Sequence, residues 1–306
     1  MKLVVNSAYG YLAAGGSLTG FADVHAANEV TRRGRETLDV MCRELAVRGV
    51  TLLEADTDGV YFAVPGTWTE ADERRVVAEV ATFLPSLVQL EFDGRYAAML
   101  SHEPKNYALL GYDGVLLLRG VAFRSSRAEP FGESFLRRAL GRLLSGDAAG
   151  VRDAYVATVN ALSRRELTTR DVSSRVRLTK TPSQYEATRA SRRELPYEAM
   201  LATGRTVWSA GDRVRVYRAN GGTGAVVAGE DGDADETNDP RDYDVDHYVR
   251  LLRETFATRM ARAFSADDFA AVFADPDQLS LFAKPMEDVR IILTRRPELS
   301  QARVAG

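Results

Sequence analysis

The order of apolar and polar residues predicts strands and helices in irregular alternation. Residues 51–64 form two apolar runs, rich in β-branched and aromatic side chains, on either side of a short polar interruption. Residues 69–84 repeat apolar side chains at helical spacing after a capping threonine, which predicts a helix over one face of a sheet. Further extended segments are predicted at 87–92, 96–101, 106–110 and 115–118. This order is typical of an α+β fold rather than of a doubly wound sheet.

Beyond residue 128 the pattern becomes mainly helical. Apolar residues recur at helical spacing in residues 131–144, 149–162, 191–203 and 246–264. Residues 220–246 are instead rich in glycine and acids and poor in apolar side chains, which predicts a loop or disorder. The acids in this loop lack the spacing of an EF-hand calcium site.

Length and composition set the class of protein. A chain of 306 residues with 45% hydrophobic content is long enough for one large or two ordinary globular domains. It contains no apolar run of membrane-spanning length and does not begin like a signal peptide, so the sequence predicts a cytoplasmic protein. The single cysteine, Cys42, excludes an internal disulfide and a zinc cluster built from cysteines.

The net charge of −3 conceals an uneven distribution. Residues 119–218 contain 20 lysines and arginines against 10 aspartates and glutamates, a local net charge of +10. Such a basic stretch is typical of a surface that binds phosphate backbones, with an affinity that falls as salt rises. The alternative is an exterior that is simply rich in arginine, because the chain has only four lysines. That alternative explains the preference for arginine but not its clustering.

The polar interruption at 54–59 carries the candidate chemistry. The two apolar runs predict a hairpin with Asp56 and Asp58 at its tip and Gly59 relieving the turn. Two carboxylates that converge on one face present the oxygen ligands that hard divalent cations prefer. The alternative is an ordinary Asp-Gly turn with no ligand.

Two motifs in order resemble family B DNA polymerases. Residues Lys2 to Gly10 read KLVVNSAYG, which resembles the nucleotide-binding motif of the fingers, and Asp56-Thr57-Asp58 resembles the metal-binding motif of the palm. Between them, residues 26–35 are similar to the palm helix that follows the fingers motif. The resemblance implies the end of the fingers at 1–20, an α+β palm at 21–127 and a mainly helical thumb at 128–306.

The resemblance also implies roles at the site. Lys2, Asn6, Tyr9 and Gly10 are expected to meet the incoming dNTP, and the first three share a helix face by their spacing. The alternative is a frayed surface lysine and a tyrosine in the core. Asp58 is expected to be the direct ligand of two Mg²⁺ ions, with Asp56 in support. A further aspartate, the first fingers helix and the exonuclease are expected in a segment before Met1. Glu54, Ala55 and Gly59 depart from the family pattern.

Contacts to primer-template DNA are expected after the hairpin. Lys105-Asn106-Tyr107 and Arg119-Gly120 resemble two elements that hold DNA in this family, although Pro104 stands where a further lysine is expected. Arg124 is the one residue kept of a following basic triplet, and Thr57 is also expected near DNA. The alternative is that these are ordinary solvated groups at strand ends. Residues 178–182, with Lys180 as a DNA contact, and the strand-like residues 211–217 are similar to the thumb.

Residues 278–282 read QLSLF and resemble the bacterial peptide that binds the sliding clamp. Gln278, Leu279, Leu281 and Phe282 are the expected contacts, and the motif favours a bacterial polymerase. The alternative is a helix end that packs on the thumb.

Three hypotheses follow from the sequence. The first is the C-terminal catalytic part of a DNA polymerase that needs a missing N-terminal segment or subunit and works at the nucleoid in replication or repair. The second is an inactive remnant that binds DNA and the clamp. The third is a globular protein whose acidic turn is a coincidence.

Overall fold

The computed structural model describes residues 2–14, 22–56, 59–227, 239–277 and 284–292, and for residues 2–6 only the backbone. The chain divides into two compact units, residues 1–94 and residues 95–293. The predicted palm, residues 21–127, extends across both units, and its assignment as a domain remains a proposal. No helix among the described residues is long and apolar enough to cross a membrane.

The first unit is a hairpin packed on helices. It contains α1 (Lys2–Ala13), α2 (Val24–Val47), β1 (Thr51–Asp56), β2 (Gly59–Ala63) and α3 (Glu70–Ala81). The α3 helix begins where predicted, because Thr69 and Asp72 form a reciprocal capping box. A small core joins α2, α3 and the hairpin through Met41, Leu45, Val50, Val76, Val80 and Leu84.

The second unit contains two antiparallel three-stranded sheets and a larger helical core. Its strands, in sheets of order β3-β4-β5 and β6-β7-β8, are β3 (Ala98–Glu103), β4 (Asn106–Leu110), β5 (Leu116–Arg119), β6 (Ser174–Arg177), β7 (Arg213–Arg218) and β8 (Gly224–Val226). Its helices are α4 (Pro130–Leu144), α5 (Ala148–Ser163), α6 (Pro182–Arg189), α7 (Leu195–Ala202), α8 (Val245–Leu251) and α9 (Ala266–Val272). After α8 the helical path continues as a π turn, Leu252–Phe256, and a 3₁₀ segment, Ala257–Ala263.

Several predicted elements are confirmed and others are wrong. The α+β class, the hairpin and the helices α3, α4 and α5 agree with the sequence pattern. Residues 87–92 form no strand: Leu87 is 95% exposed, and the segment has no partner strand among the described residues. The helix predicted at 191–203 begins only at Leu195, with Pro196 in its first turn. The described part of 220–246 is not all loop, because it contains β8 and the fully buried Tyr243.

Candidate active site and nucleic-acid interface

The acidic hairpin closes where the sequence predicts. In the antiparallel pair β1–β2, Asp56 lies directly opposite Gly59. The register shifts between Leu52 and Glu54, which places a β-bulge in β1 just before the acids. Gly59 is the first residue of β2. The residues just before it lie outside the described ranges, so its role in relieving the turn stays a prediction.

The bulge and register place two carboxylates on one face of the hairpin. Residues directly opposite one another share a face, so Glu54 and Asp56 lie on the face away from the core residues Val60 and Phe62. Both acids are partly buried and make contacts within the chain. Glu54 therefore lies on the same face as Asp56. The sequence pattern identified Glu54 only as a departure from the family motif.

The predicted metal ligands are described only in part. Asp56 presents carboxylate oxygens of the kind that Mg²⁺ prefers, and its position at the strand end fits that chemistry. Thr57 and Asp58 lie outside the described residues. Within the described ranges there is no group of three or more His, Cys, Asp or Glu side chains placed to hold an ion. The Asp56 and Asp58 pair therefore stays a prediction.

Helix α1 carries the predicted nucleotide contacts. Lys2, Asn6, Tyr9 and Gly10 all fall within this helix, so the spacings of four and three place the first three on one side of it. The side chains of Lys2 and Asn6 lie outside the described residues. Tyr9 is 38% exposed and is therefore not a core residue, which argues against the tyrosine part of the alternative.

The structure brings the predicted DNA contacts of the second unit together, apart from Lys180. Tyr107 in β4 lies directly opposite Arg119 in β5, so their side chains share one face of the sheet. The Arg124 amide donates to the Gly120 carbonyl at 3.0 Å, which holds the residues after β5 in a tight turn. Lys105, Arg119 and Arg124 are exposed, and Lys105 and Tyr107 also make contacts within the chain.

Asn106 ties these elements to one another. This buried side chain accepts a hydrogen bond from the Ala122 amide at 2.9 Å and donates one to the Pro104 carbonyl at 3.1 Å. Gly120 has φ +83°, and a Cβ there would overlap the Lys105 carbonyl oxygen and the Asn106 amide oxygen. The turn before β4 and the turn after β5 therefore hold each other in position, and only glycine fits at residue 120. Sequence reasoning missed this role of Asn106 because its partner lies 16 residues away.

Lys180 lies in a different setting. Its ammonium contacts the Glu194 carboxylate at 2.6 Å and the Thr188 hydroxyl at 3.2 Å. Its amide donates to the Tyr197 hydroxyl at 2.9 Å, and its carbonyl accepts from the Trp208 indole at the same distance. In this conformation Lys180 holds the turn before α6, and its charge is already matched by a carboxylate.

The predicted clamp-binding peptide, residues 278–282, lies outside the described residues, but both of its flanks are attached to the second unit. On one side, the Arg152 guanidinium donates to the carbonyls of Val272 and Ala274. On the other, the Lys284 ammonium pairs with Asp268, whose side chain is 7% exposed. The peptide therefore belongs to a segment with two fixed ends.

Two histidines of the second unit have pKa values below the usual value for histidine. Burial lowers the pKa of His102, whose ring makes an edge-to-face contact with Phe123 at 5.9 Å between centroids. Burial also lowers the pKa of His247, which lies close to the positive charges of Arg218 and Arg250. Neither histidine belongs to the predicted sites.

Comparison with known proteins adds sequence and structural relatives, although no protein-family model matches the chain. The chain is 35% identical over 124 residues to DNA polymerase 1 of Pyrococcus abyssi, an alignment that covers 40% of this chain and 16% of that protein. It is 28% identical over 193 residues to the DNA polymerase of a Thermococcus species, covering 61% of this chain and 25% of that protein. The family B DNA polymerase of Pyrobaculum calidifontis matches 91% of this chain and 33% of its own, with a TM-score of 0.57 and 18% identity.

These matches correct one expectation and confirm another. All three organisms are archaea, so the bacterial type predicted from the clamp-like peptide is not supported. The α+β class is confirmed by the structural match. The chain spans only 16% to 25% of the length of the two sequence relatives. It has the fold of a fragment of a family B DNA polymerase, and its sequence is similar to those of archaeal DNA polymerases.

Proposed function

We propose that this chain is the C-terminal catalytic part of a DNA-directed DNA polymerase. The observation that carries the proposal is the β1–β2 hairpin, which closes at Asp56 within a fold that matches a family B polymerase over 91% of the chain. The sequence similarity to archaeal DNA polymerases supports the same reading. The reaction is template-directed transfer of a nucleotide from a dNTP to a primer, on DNA in the cytoplasm.

In this proposal the hairpin tip holds the metal ions. Asp58 is the direct ligand and Asp56 supports it, together with a carboxylate from a segment outside this chain. Two bound Mg²⁺ ions supply charge neutralisation at the attacking and leaving oxygens of the in-line transfer. On helix α1, Lys2 binds the triphosphate, Asn6 orders the site, and Tyr9 and Gly10 lie beside the nascent base pair.

The second unit holds the primer-template duplex in this proposal. Tyr107 and Arg119, which share one sheet face, contact the DNA together with Lys105, Gly120 and Arg124. Lys180 reaches DNA only if it exchanges Glu194 for a phosphate. Residues 278–282 bind a sliding clamp, and the described residues on both sides of them contact the second unit.

The decisive experiment separates binding from synthesis. The purified chain is expected to bind primer-template DNA and not to extend it with Mg²⁺ and dNTPs, because a metal ligand is supplied by the other segment. Adding the N-terminal segment is expected to restore extension. Extension by the chain alone refutes the need for that segment. A chain that binds DNA and stays inactive after the segment is added is the inactive remnant instead.

A further inference from the structure

The strand pair β6–β7 carries four arginines on one face, and we call this set the arginine face. Arg175 lies directly opposite Arg215, and Arg177 lies directly opposite Arg213. Side chains alternate along a strand, so all four lie on the face away from Val214, which is fully buried. The packing of that valine with the small core of this sheet directs the arginines outward. Arg175, Arg177 and Arg213 are exposed.

This arrangement does not stabilise the sheet by itself. Like charges directly opposite one another across a strand pair are destabilising. Among the described residues, no carboxylate lies within ion-pair distance of Arg175, Arg177 or Arg213. Arg215 does have partners within the chain, one of them the Ser173 hydroxyl at 3.5 Å. Three exposed guanidinium groups thus remain without a described acid to offset them.

Some other arginines of the chain do lie beside carboxylates. In the first unit, Arg48 binds Glu44 at 2.8 Å and Glu79 at 3.0 Å. Arg32 likewise binds Glu29 at 2.6 Å, and that contact lowers the pKa of the Glu29 carboxyl to about 2. The arginine face differs from these pairs because its members lie directly opposite one another across two strands, and no described acid offsets Arg175, Arg177 or Arg213.

We infer that the arginine face binds the phosphodiester backbone of nucleic acid, a ligand choice that rests on the proposed function. Guanidinium groups bind phosphate oxygens through paired hydrogen bonds, and arginines two residues apart on one strand are separated by about 7 Å. An extended polyanion can offset the charges of Arg175, Arg177 and Arg213 together, whereas one small anion reaches only one pair of opposite arginines. The Arg175 amide also donates to the Arg127 carbonyl at 3.0 Å, so the turn that follows Arg124 runs beside β6. The arginine face therefore continues the predicted DNA contact at Arg124.

The test compares two variants of equal charge change in the whole chain. One replaces the three unpaired members of the arginine face (Arg175→Gln, Arg177→Gln, Arg213→Gln). The control replaces three exposed arginines of α4 and the end of α5, each beside a carboxylate (Arg137→Gln, Arg142→Gln, Arg164→Gln). Each chain is titrated with fluorescent duplex and single-stranded DNA over a range of salt. The first variant is expected to lose affinity on the order of a hundredfold near 0.1 M salt, with a log–log salt slope shallower by about 3 for duplex and about 2 for a single strand. The control is expected to change affinity by only a few-fold.

Thermal stability distinguishes DNA binding from a structural role. If the arginines stabilised the fold, replacing them would lower the melting temperature. Because the arginines repel one another, the first variant is expected to melt at the same temperature or a few degrees higher at low salt. Unchanged DNA affinity, an equal loss in the control, or a fall in melting temperature together with affinity would each refute the arginine face. Failure of the proposed function would give a different result: no primer extension even after the N-terminal segment is added.

Discussion

The two units of this protein differ in what surrounds their charged groups. In the first, arginines lie beside carboxylates of their own helices, as Arg48 does with Glu44, and the hairpin acids Glu54 and Asp56 share a face of their own. In the second, helical arginines such as Arg137 also pair with acids, but Arg175, Arg177 and Arg213 gather on two strands with no described acid beside them. Exposed ion pairs contribute little to stability, whereas unneutralised charges of one sign attract a ligand of the opposite sign. The proposed binding of a polyanion therefore depends on these three arginines of the second unit.

The glycines of the two candidate sites differ in how much space surrounds them. A Cβ at Gly59, beside the acidic tip, would meet no atom within 4 Å. A Cβ at Gly120, in the turn after β5, would overlap the Lys105 carbonyl. The described surroundings of Gly59 are therefore open, while the turn after β5 is a closely packed junction whose shape depends on Gly120.

The largest effect is expected at the acidic tip. Asp58→Asn in the enzyme completed with its N-terminal segment should reduce primer extension on the order of a thousandfold or more, because it removes a metal ligand worth several kcal/mol in the transition state. DNA affinity should remain within about twofold, since binding resides in the other unit. Primer extension and DNA titration measure the two effects. Asp93→Asn, at an exposed acid of the same unit, is the control and should leave both unchanged. Substantial synthesis by the Asp58 variant would place the metal site elsewhere.

The next largest effect is expected at the packed junction of the second unit. Gly120→Ala should destabilise the protein by about 2 to 4 kcal/mol, because the added Cβ meets a positive φ and the Lys105 carbonyl. Its melting temperature should fall on the order of 10 °C, and DNA affinity should fall as the turns separate. Gly141→Ala in α4 is the matched control, because a Cβ there meets nothing within 4 Å and alanine favours a helix. Equal melting curves for the two variants would contradict the role of Gly120.

Clamp binding should be separable from DNA binding within the second unit. Leu281→Ala with Phe282→Ala should weaken binding to purified sliding clamp by tenfold or more, because each side chain buries apolar surface worth about 1.5 to 3 kcal/mol before ordering costs. Binding to DNA should not change. Leu87→Ala with Val88→Ala, two neighbouring exposed apolar residues, is the control pair. Equal clamp affinity for the wild type and the Leu281 and Phe282 variant would mean that this peptide is a structural part of the fold.

The smallest expected effect is on the pH dependence of stability, through two partly buried histidines of the second unit. Burial lowers the pKa of His102 and His247, so the folded protein favours their neutral forms. Their contribution to stability is present above the unfolded pKa of about 6.5 and is lost as the pH falls below it. Replacing both with glutamine should reduce the fall in melting temperature between about pH 7 and pH 5.5. Subtracting the variant's pH dependence from that of the wild type removes the contribution of the other titrating groups. An identical pH dependence would show that burial of these rings does not affect stability. His25, in the first unit, offers a control replacement.

Local pattern in the sequence was sufficient for elements whose determinants lie close together in the chain. The capping threonine Thr69 and the helical spacing after it predict α3, and two apolar runs around the polar residues 54–59 predict the β1–β2 hairpin. The alternation of arginine and valine in residues 175–177 and 213–215 also predicts strands with an arginine face, a pattern that sequence reasoning did not use. In each case the residues that decide the structure are neighbours along the chain.

Only the tertiary structure decided which distant residues meet. It places Tyr107 opposite Arg119, Arg175 opposite Arg215, and Lys180 against Glu194, and none of these pairs can be read from local spacing. Residues 87–92 show the converse, because a strand-like pattern forms no strand unless another strand edge supplies its hydrogen bonds. Strand register and side-chain partners depend on how the whole chain packs. The sequence by itself therefore determined which residues are candidates for chemistry, and the packed fold determined which of them stand together.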